Sequence, residues 1–374
     1  VGAPFLSQRR YTIAPPGRPP LRSRLFSLVD TPDLRALPAL WPSMKRIWIG
    51  AGPAPEILHR ALIACAWLVQ LGLMRSLRRL APLMQWIVNR ARWGEHRSGM
   101  YVEVKGLDGA GASATRSWHL VAEGDDGPLI PAMAAQAIVL KHLDGAAPEA
   151  GARACVRDLD LDDYDRMFAG RRIVAGVRAN SPADAPLYRR LLGDAWDELP
   201  AAVRAMHDGA GRAQGASSVE RGDHPLARLA CRIMRFPPAA MEAELSVRFD
   251  AAAGGERWSR SFNGRGFSSL QYEGAGRSAR LLCERFGLLV FAMALVCEDG
   301  RLRLVLRRWS LFGAPLPLWL APRANAYESE EAGVFRFHVE LSHPLTGLIV
   351  RYRGWLKPQA EEERAAAPAE PALT

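Results

Sequence analysis

A chain of 374 residues is long enough for two or three domains. With 49% hydrophobic and 24% charged residues and a mean hydropathy of −0.08, its composition argues against both a disordered protein and an integral membrane protein. The balance of 49 Lys and Arg against 39 Asp and Glu leaves a formal charge of +10, which favours anionic partners without choosing among phosphates, acidic lipids and carboxylates. The five cysteines, at 65, 155, 231, 283 and 297, are widely spaced and include no C-x-x-C pair. That spacing indicates neither a zinc site nor a disulfide framework, and it makes a reducing, cytoplasmic setting the default. The opening stretch VGAPFLSQRRYTIAPPGRPP has no apolar leader core, and the chain reads as a fragment whose beginning lies before Val1.

In chain order, residues 21–60 read as strand, turn, strand: Leu25 to Val29 before Thr31-Pro32-Asp33, then Ile47, Trp48 and Ile49 before Gly50-Ala51-Gly52. From 56 to 93 the spacing becomes helical, with Leu73, Leu77 and Leu80 on one stripe and Arg75, Arg78 and Arg79 opposite. Two helices, or one broken near Pro82, fit this stretch. Residues 99–107 and 115–123 alternate as a hairpin, a helix is expected over 131–143, and extended runs follow at 154–158 and 172–177. Strands flanking helices in this order imply a mixed sheet in an α+β domain.

The Ala-Asn-Ser-Pro-Ala-Asp-Ala-Pro composition near 178–186 marks a domain boundary. Helical segments follow around 187–192, 196–206 and 225–234, the last behind an Asp223 cap. After Pro237-Pro238 the pattern is β almost throughout, with runs at 243–250, 256–262, 266–273, 279–285, 288–298, 301–309, 334–341 and 348–356. Consecutive strands with short turns predict an antiparallel meander. The stretch from 359 lacks apolar periodicity and is expected to be disordered. The fold class is thus α+β, with a mixed-sheet domain over 1–180, a helix-plus-antiparallel-meander domain over 181–358 and a tail over 359–374.

IWIGAGPAP at 47–55 imitates a dinucleotide turn, but the third glycine position is Pro55 and no acidic strand end follows about 20 residues later. The uncharged stretch ALIACAWLVQLGLM at 61–74 has 14 residues, short of the roughly 20 needed to cross a bilayer, so a core helix is its first reading. The alternative is a basic amphipathic surface resting on an anionic membrane through Arg75, Arg78 and Arg79. Within the β region, Trp258, Arg260 and Phe262 share a face, which sets a guanidinium among apolar neighbours. Glu284, between Leu282 and Phe286, is a partner by the same parity, unless a bulge turns Arg260 to water. Apolar faces at Leu302 to Leu306, Phe335 to Leu341 and Leu348 to Tyr352, together with the unbroken apolar run Leu288–Cys297, leave two outcomes. One is a core closed by the helices at 187–234, and the other is a partly open cavity in which Arg260, Glu284 and Tyr352 orient a ligand while Arg351 points away. No metal-ligand cluster and no Ser/His/Asp order stands out. Nucleic acid is disfavoured, because the arginines lack spaced aromatics.

SLVDTPDL (27–34), IWIGAG (47–52), SGMYVEVKGLDGAG (98–111), SWHLVAEGDDGPLIPAMAA (117–135) and GARACV (151–156) together resemble the region after the nucleotide-binding domain in bacterial saccharopine dehydrogenase-like proteins. LYRRLLGDAW (187–196), WSRSFNGRGFSS (258–269), PLPLWLAP (315–322) and HPLTGLIVRYRGWL (343–356) resemble the domain of unknown function that ends many of them. The resemblance implies the non-nucleotide portion of an NAD(P)-dependent oxidoreductase. Its Rossmann domain would be a missing N-terminal partner, NAD(P) would belong to the longer protein, and no cofactor would be bound by this portion. The competing expectation is a binding module for an apolar or lipid-like ligand, peripheral at an anionic membrane surface.

Overall fold

The computed structural model describes residues 6–53, 55–90, 96–124, 126–153, 155–179, 185–209 and 211–359. The chain divides into two compact units: Val1–Ile13, Leu21–Met100 and Val121–Val174 form one, and Ala14–Pro20, Tyr101–Leu120 and Ala175–Thr374 the other. Most of the segment expected as a domain boundary, and residues 360–374 of the expected tail, lie outside the described residues.

In the first unit β1 (Gln8–Tyr11), β2 (Arg24–Leu28) and β3 (Gly50–Ala51) make a small antiparallel sheet beside α1 (Asp33–Leu40), α2 (Glu56–Gln70) and α3 (Ala81–Arg90). The expected strand at 47–49 is not formed; pairing is limited to Gly50 and Ala51. These glycines answer a packing need. A Cβ on Gly50 would lie 2.3 Å from the Trp48 ring, and one on Gly52 would lie 2.7 Å from the Leu25 carbonyl oxygen. Glu56 occupies the first turn of α2, where its carboxylate binds Arg10 at 2.7 Å and Arg60 at 2.8 Å. Between α2 and α3 the chain leaves the helix at 71–77, so the break precedes Pro82, which opens α3 where a missing N–H costs nothing. Next in the chain, α4 (Ile130–Leu143) and α5 (Leu161–Phe168) also belong to the first unit, whereas β4 (Arg97–Leu107), β5 (Ser113–Glu123) and β6 (Ile173–Ala179), which make a small three-stranded sheet, have most of their residues in the second. The strand expected at 154–158 is irregular over 155–158, where Asp158 is engaged by Arg153.

The second unit is dominated by a barrel. Its strands are β7 (Arg212–Arg221), β8 (Ala240–Ala252), β9 (Gly255–Phe262), β10 (Arg265–Glu273), β11 (Leu282–Phe286), β12 (Leu289–Glu298) and β13 (Arg301–Leu311). The short β14 (Ala314–Leu316), then β15 (Arg323–Glu331), β16 (Val334–His343) and β17 (Gly347–Pro358), complete the set. β17 pairs antiparallel with β7, as in Gly354 opposite Ser217, while β12 pairs with β13 and β13 with β15. Ten strands therefore close on themselves, and β14 folds back along β13. The expected meander is corrected to a closed barrel. The reason lies in β7 and β15, whose sequences RAQGASSVER and RANAYESEE lack apolar alternation and give no strand signal, yet supply the links that remove the free edges.

Three helices serve the barrel. α6 (Leu187–Leu192) and α7 (Ala201–His207) seal the end at which β9 begins and β10 finishes, burying Leu187, Tyr188, Leu191, Leu192, Val203 and Met206. α8 (Pro225–Ile233) crosses the opposite end, in the β7–β8 connection. Its cap is His224, whose Nδ1 accepts from the Leu226 N–H, rather than Asp223. The small residues Ala227 and Cys231 face inward, with the Cys231 thiol donating to the Ile349 carbonyl at 3.2 Å. Leu226, Leu229 and Ile233 are exposed as a result.

The apolar run of β12 is explained by burial on both faces. Met293, Leu295 and Cys297 join the interior, while Ala292, Ala294 and Val296 pack outside with Leu281 and Cys283. Beside β12, Gly17, at φ +61°, accepts from the Cys297 N–H at 2.8 Å, and a Cβ there would meet Ala195 at 2.7 Å.

Candidate functional site: the barrel interior

An eight-stranded barrel is just wide enough for its own side chains to fill, and the diameter grows with strand number. Ten strands leave space here, a cavity of about 450 Å³. Its walls are apolar nearly throughout: Val247, Phe262, Phe291, Leu304, Leu306 and Phe337 are representative. Ala324 and Ala326 of β15 keep one wall low, and Tyr188 and Met206 form the sealed end. Around the opposite end Leu226, Leu288, Phe312, Trp319 and Leu345 are exposed, giving that end an apolar rim.

A compact polar cluster interrupts this lining. The parity of β9 is regular, so Trp258, Arg260 and Phe262 all face inward. Arg260 Nη2 lies 3.1 Å from Glu284 Oε1, and Nη1 donates to Ser269 Oγ at 2.9 Å. Ser269 Oγ in turn donates to Glu284 Oε1 at 2.6 Å, and Gln271 Nε2 donates to the same oxygen at 3.2 Å. The guanidinium also sits 5.1 Å from the Trp258 ring and 5.5 Å from the Phe267 ring. Tyr188 Oη donates to Gln271 Oε1 at 3.0 Å, extending the cluster to α6.

A second buried pair lies at the sealed end. His207 Nε2 donates to Glu328 Oε2 at 2.5 Å, and its ring stacks on Tyr188 with centroids 3.7 Å apart. Burial raises the Tyr188 phenol well above its ordinary value, and it pushes Tyr352 up to about 12. Both tyrosines are therefore neutral hydroxyls. Tyr352 packs against Phe262 and Phe337, with centroids 5.8 and 6.3 Å away, and lines the cavity with an Oη that makes no hydrogen bond to the described residues.

The three residues singled out from sequence, Arg260, Glu284 and Tyr352, thus all line one cavity, and Tyr352 senses the charges of the other two. Arg351 faces away and is held by Glu340 and Glu220, each at 2.7 Å. Ser269 and Gln271 were missed, although their parity with Phe267 is a readable signal: polar residues at the inward positions of β10. Tyr188, His207 and Glu328 carried no such signal, because helices distant in sequence bring two of them to the barrel.

Elsewhere, Ser27 Oγ and His59 Nε2 lie 2.9 Å apart in the first unit. In the second unit His119 Nδ1 accepts from the Ala14 N–H, so its Nε2 proton points to Ser117 Oγ at 2.9 Å. Both histidines are fully enclosed, and burial lowers the pKa of each, to about 3 for His119. Arg75, Arg78 and Arg79 are exposed around the turn at 71–80, together with Leu71 and Leu73. No helix among the described residues is long and apolar enough to cross a membrane, and no group of His, Cys, Asp or Glu among them is arranged to hold a metal ion.

No curated protein matches the chain. Among solved structures, the zebrafish ileal bile acid-binding protein complexed with cholic acid is similar at 9% identity, over 39% of this chain and 96% of that one, with a TM-score of 0.20. Residues 199–356, which run from just before the sealing helix α7 through nearly all of β17, match the model of a family described as a domain of unknown function, DUF4166.

Proposed function

We propose that the barrel is a container for an apolar small molecule. The observation that carries this reading is the cavity itself: about 450 Å³, within the roughly 300–1,000 Å³ range of ligand pockets, apolar over most of its wall and interrupted by one convergent polar cluster. Arg260, Glu284 and Tyr352 are the proposed ligand-orienting residues. The test is equilibrium binding of the neutral dye Nile red to the full chain, followed by displacement with alkyl compounds. The expected result is saturable binding that is lost in Ala326→Trp, which fills the cavity from β15 while the circular dichroism spectrum is kept. Absence of saturable binding by the folded wild type overturns the container reading. Titration with NADH and NADPH is the parallel arm for the dehydrogenase-like resemblance of the first half. Micromolar binding there would return Gly50 and Gly52 to consideration as a nucleotide turn.

A second element of the proposal concerns residues 71–79, where exposed Leu71 and Leu73 flank exposed Arg75, Arg78 and Arg79. Apolar side chains beside cations suit the interface of an anionic bilayer, where a membrane-derived ligand would be found.

A further inference from the structure

The container reading leaves open which polar group the ligand carries, and the charges in the cavity narrow the choice. Arg260 is the only cationic arginine or lysine lining the described cavity, and its guanidinium is already engaged by Glu284 and two aromatic faces. Glu328 adds a second carboxylate, which is hydrogen-bonded to His207. Arg260 and Glu284 cancel, so no arginine or lysine among the lining residues is left to meet a further carboxylate. A ligand carboxylate would enter beside two existing carboxylates with no unpaired cation to meet it. An uncompensated charge in an apolar interior is strongly disfavoured.

Arg260 keeps N–H groups beyond the two that bond Ser269 and Glu284, but its charge is balanced by Glu284, and the donor that makes no bond to the described residues is a neutral one. Tyr352 Oη is a neutral hydroxyl without a partner among the described residues. All three bonds to Glu284 converge on Oε1, so Oε2 accepts none of them. An acceptor at Oε2 together with a donor at Tyr352 is the complement of a hydroxyl, which gives one hydrogen bond and takes another.

We infer that the barrel selects an apolar molecule ending in a hydroxyl and discriminates against the corresponding carboxylate. This rests on the container reading and goes beyond it by naming the ligand class. The site then works by satisfaction: a hydroxyl pairs both idle groups, an alkane leaves them as they are, and a carboxylate brings a charge the site cannot match.

The experiment is Nile red displacement from the full chain by 1-dodecanol, dodecanoate and dodecane, each below its micelle or solubility limit. The alcohol is expected to bind at least about tenfold more tightly than the acid. Tyr352→Phe, which keeps the ring packing with Phe262 and Phe337, is expected to weaken the alcohol about tenfold relative to dodecane. If Nile red binds but dodecanoate matches or exceeds dodecanol, the hydroxyl inference is overturned and the container reading stands. An unchanged alcohol affinity in Tyr352→Phe likewise overturns it. If Nile red does not bind at all, the container reading itself has failed.

Discussion

Arg260 and Glu284 stand on strands separated by β10 and close to 3.1 Å across it, with Ser269 and Gln271 of that intervening strand bonded to the same carboxylate oxygen. Both side chains are almost wholly withdrawn from solvent, at 14% and 11% exposure. A pair of this kind contributes little net stability, because desolvation offsets attraction, but breaking it leaves a charge stranded.

The pair should therefore show strong coupling. Arg260→Met is expected to cost about 3–5 kcal/mol in urea unfolding, whereas the double variant Arg260→Met, Glu284→Leu should recover most of that loss. Additive losses in the double-mutant cycle would mean that the two side chains act independently.

Acid stability should carry the signature of His119. Its pKa is held down at about 3, chiefly by burial and then by the Arg178 charge, against an ordinary value of 6.5. Between those values the unfolded state binds the proton and the folded state does not. Stability is thus complete above about pH 6.5 and falls as pH drops toward 3, by up to about 1.4 kcal/mol per pH unit. Unfolding midpoints measured across this window should fall less steeply in His119→Asn than in wild type.

The closing seam of the barrel depends on Gly354. A Cβ at this position would lie 2.0 Å from the Ala216 carbonyl oxygen on β7, a backbone atom that cannot turn aside. Gly354→Val is expected to lower stability by about 1–3 kcal/mol or more, read as a drop in the melting midpoint. Gly106→Ala, with open space around its Cβ, is the control and should leave the midpoint unlowered.

The basic surface at 71–79 should give salt-sensitive sedimentation with vesicles containing phosphatidylserine. Replacing Arg75, Arg78 and Arg79 together by Ala is expected to remove about 3 kcal/mol of that attraction, at roughly 1 kcal/mol per cation. Equal sedimentation of the variant, or binding that persists in high salt, would count against an electrostatic contact.

Local pattern was enough to find most strands of the second unit and to orient Arg260. In β8, β9 and β16 one face is apolar and the period of two is set by the backbone alone, so inward residues can be read one strand at a time. β7 and β15 escaped because of what they face. Inward they carry Ala213, Gly215 and Ser217, or Ala324, Ala326 and Glu328, small or polar residues where a neighbouring backbone, a cavity or His207 takes the space a large apolar side chain would fill. Without those two strands the alternation describes an open meander. Tertiary structure decided the closure, since β7 and β17 are joined across more than a hundred residues by hydrogen bonds that any polar sequence can make. The same closure explains why the site was legible only in part. Parity named Arg260, Glu284 and Tyr352, but Tyr188 and His207 come from helices that no strand pattern places, and they reach Gln271 and Glu328 only because the sealed end of the barrel needs a floor.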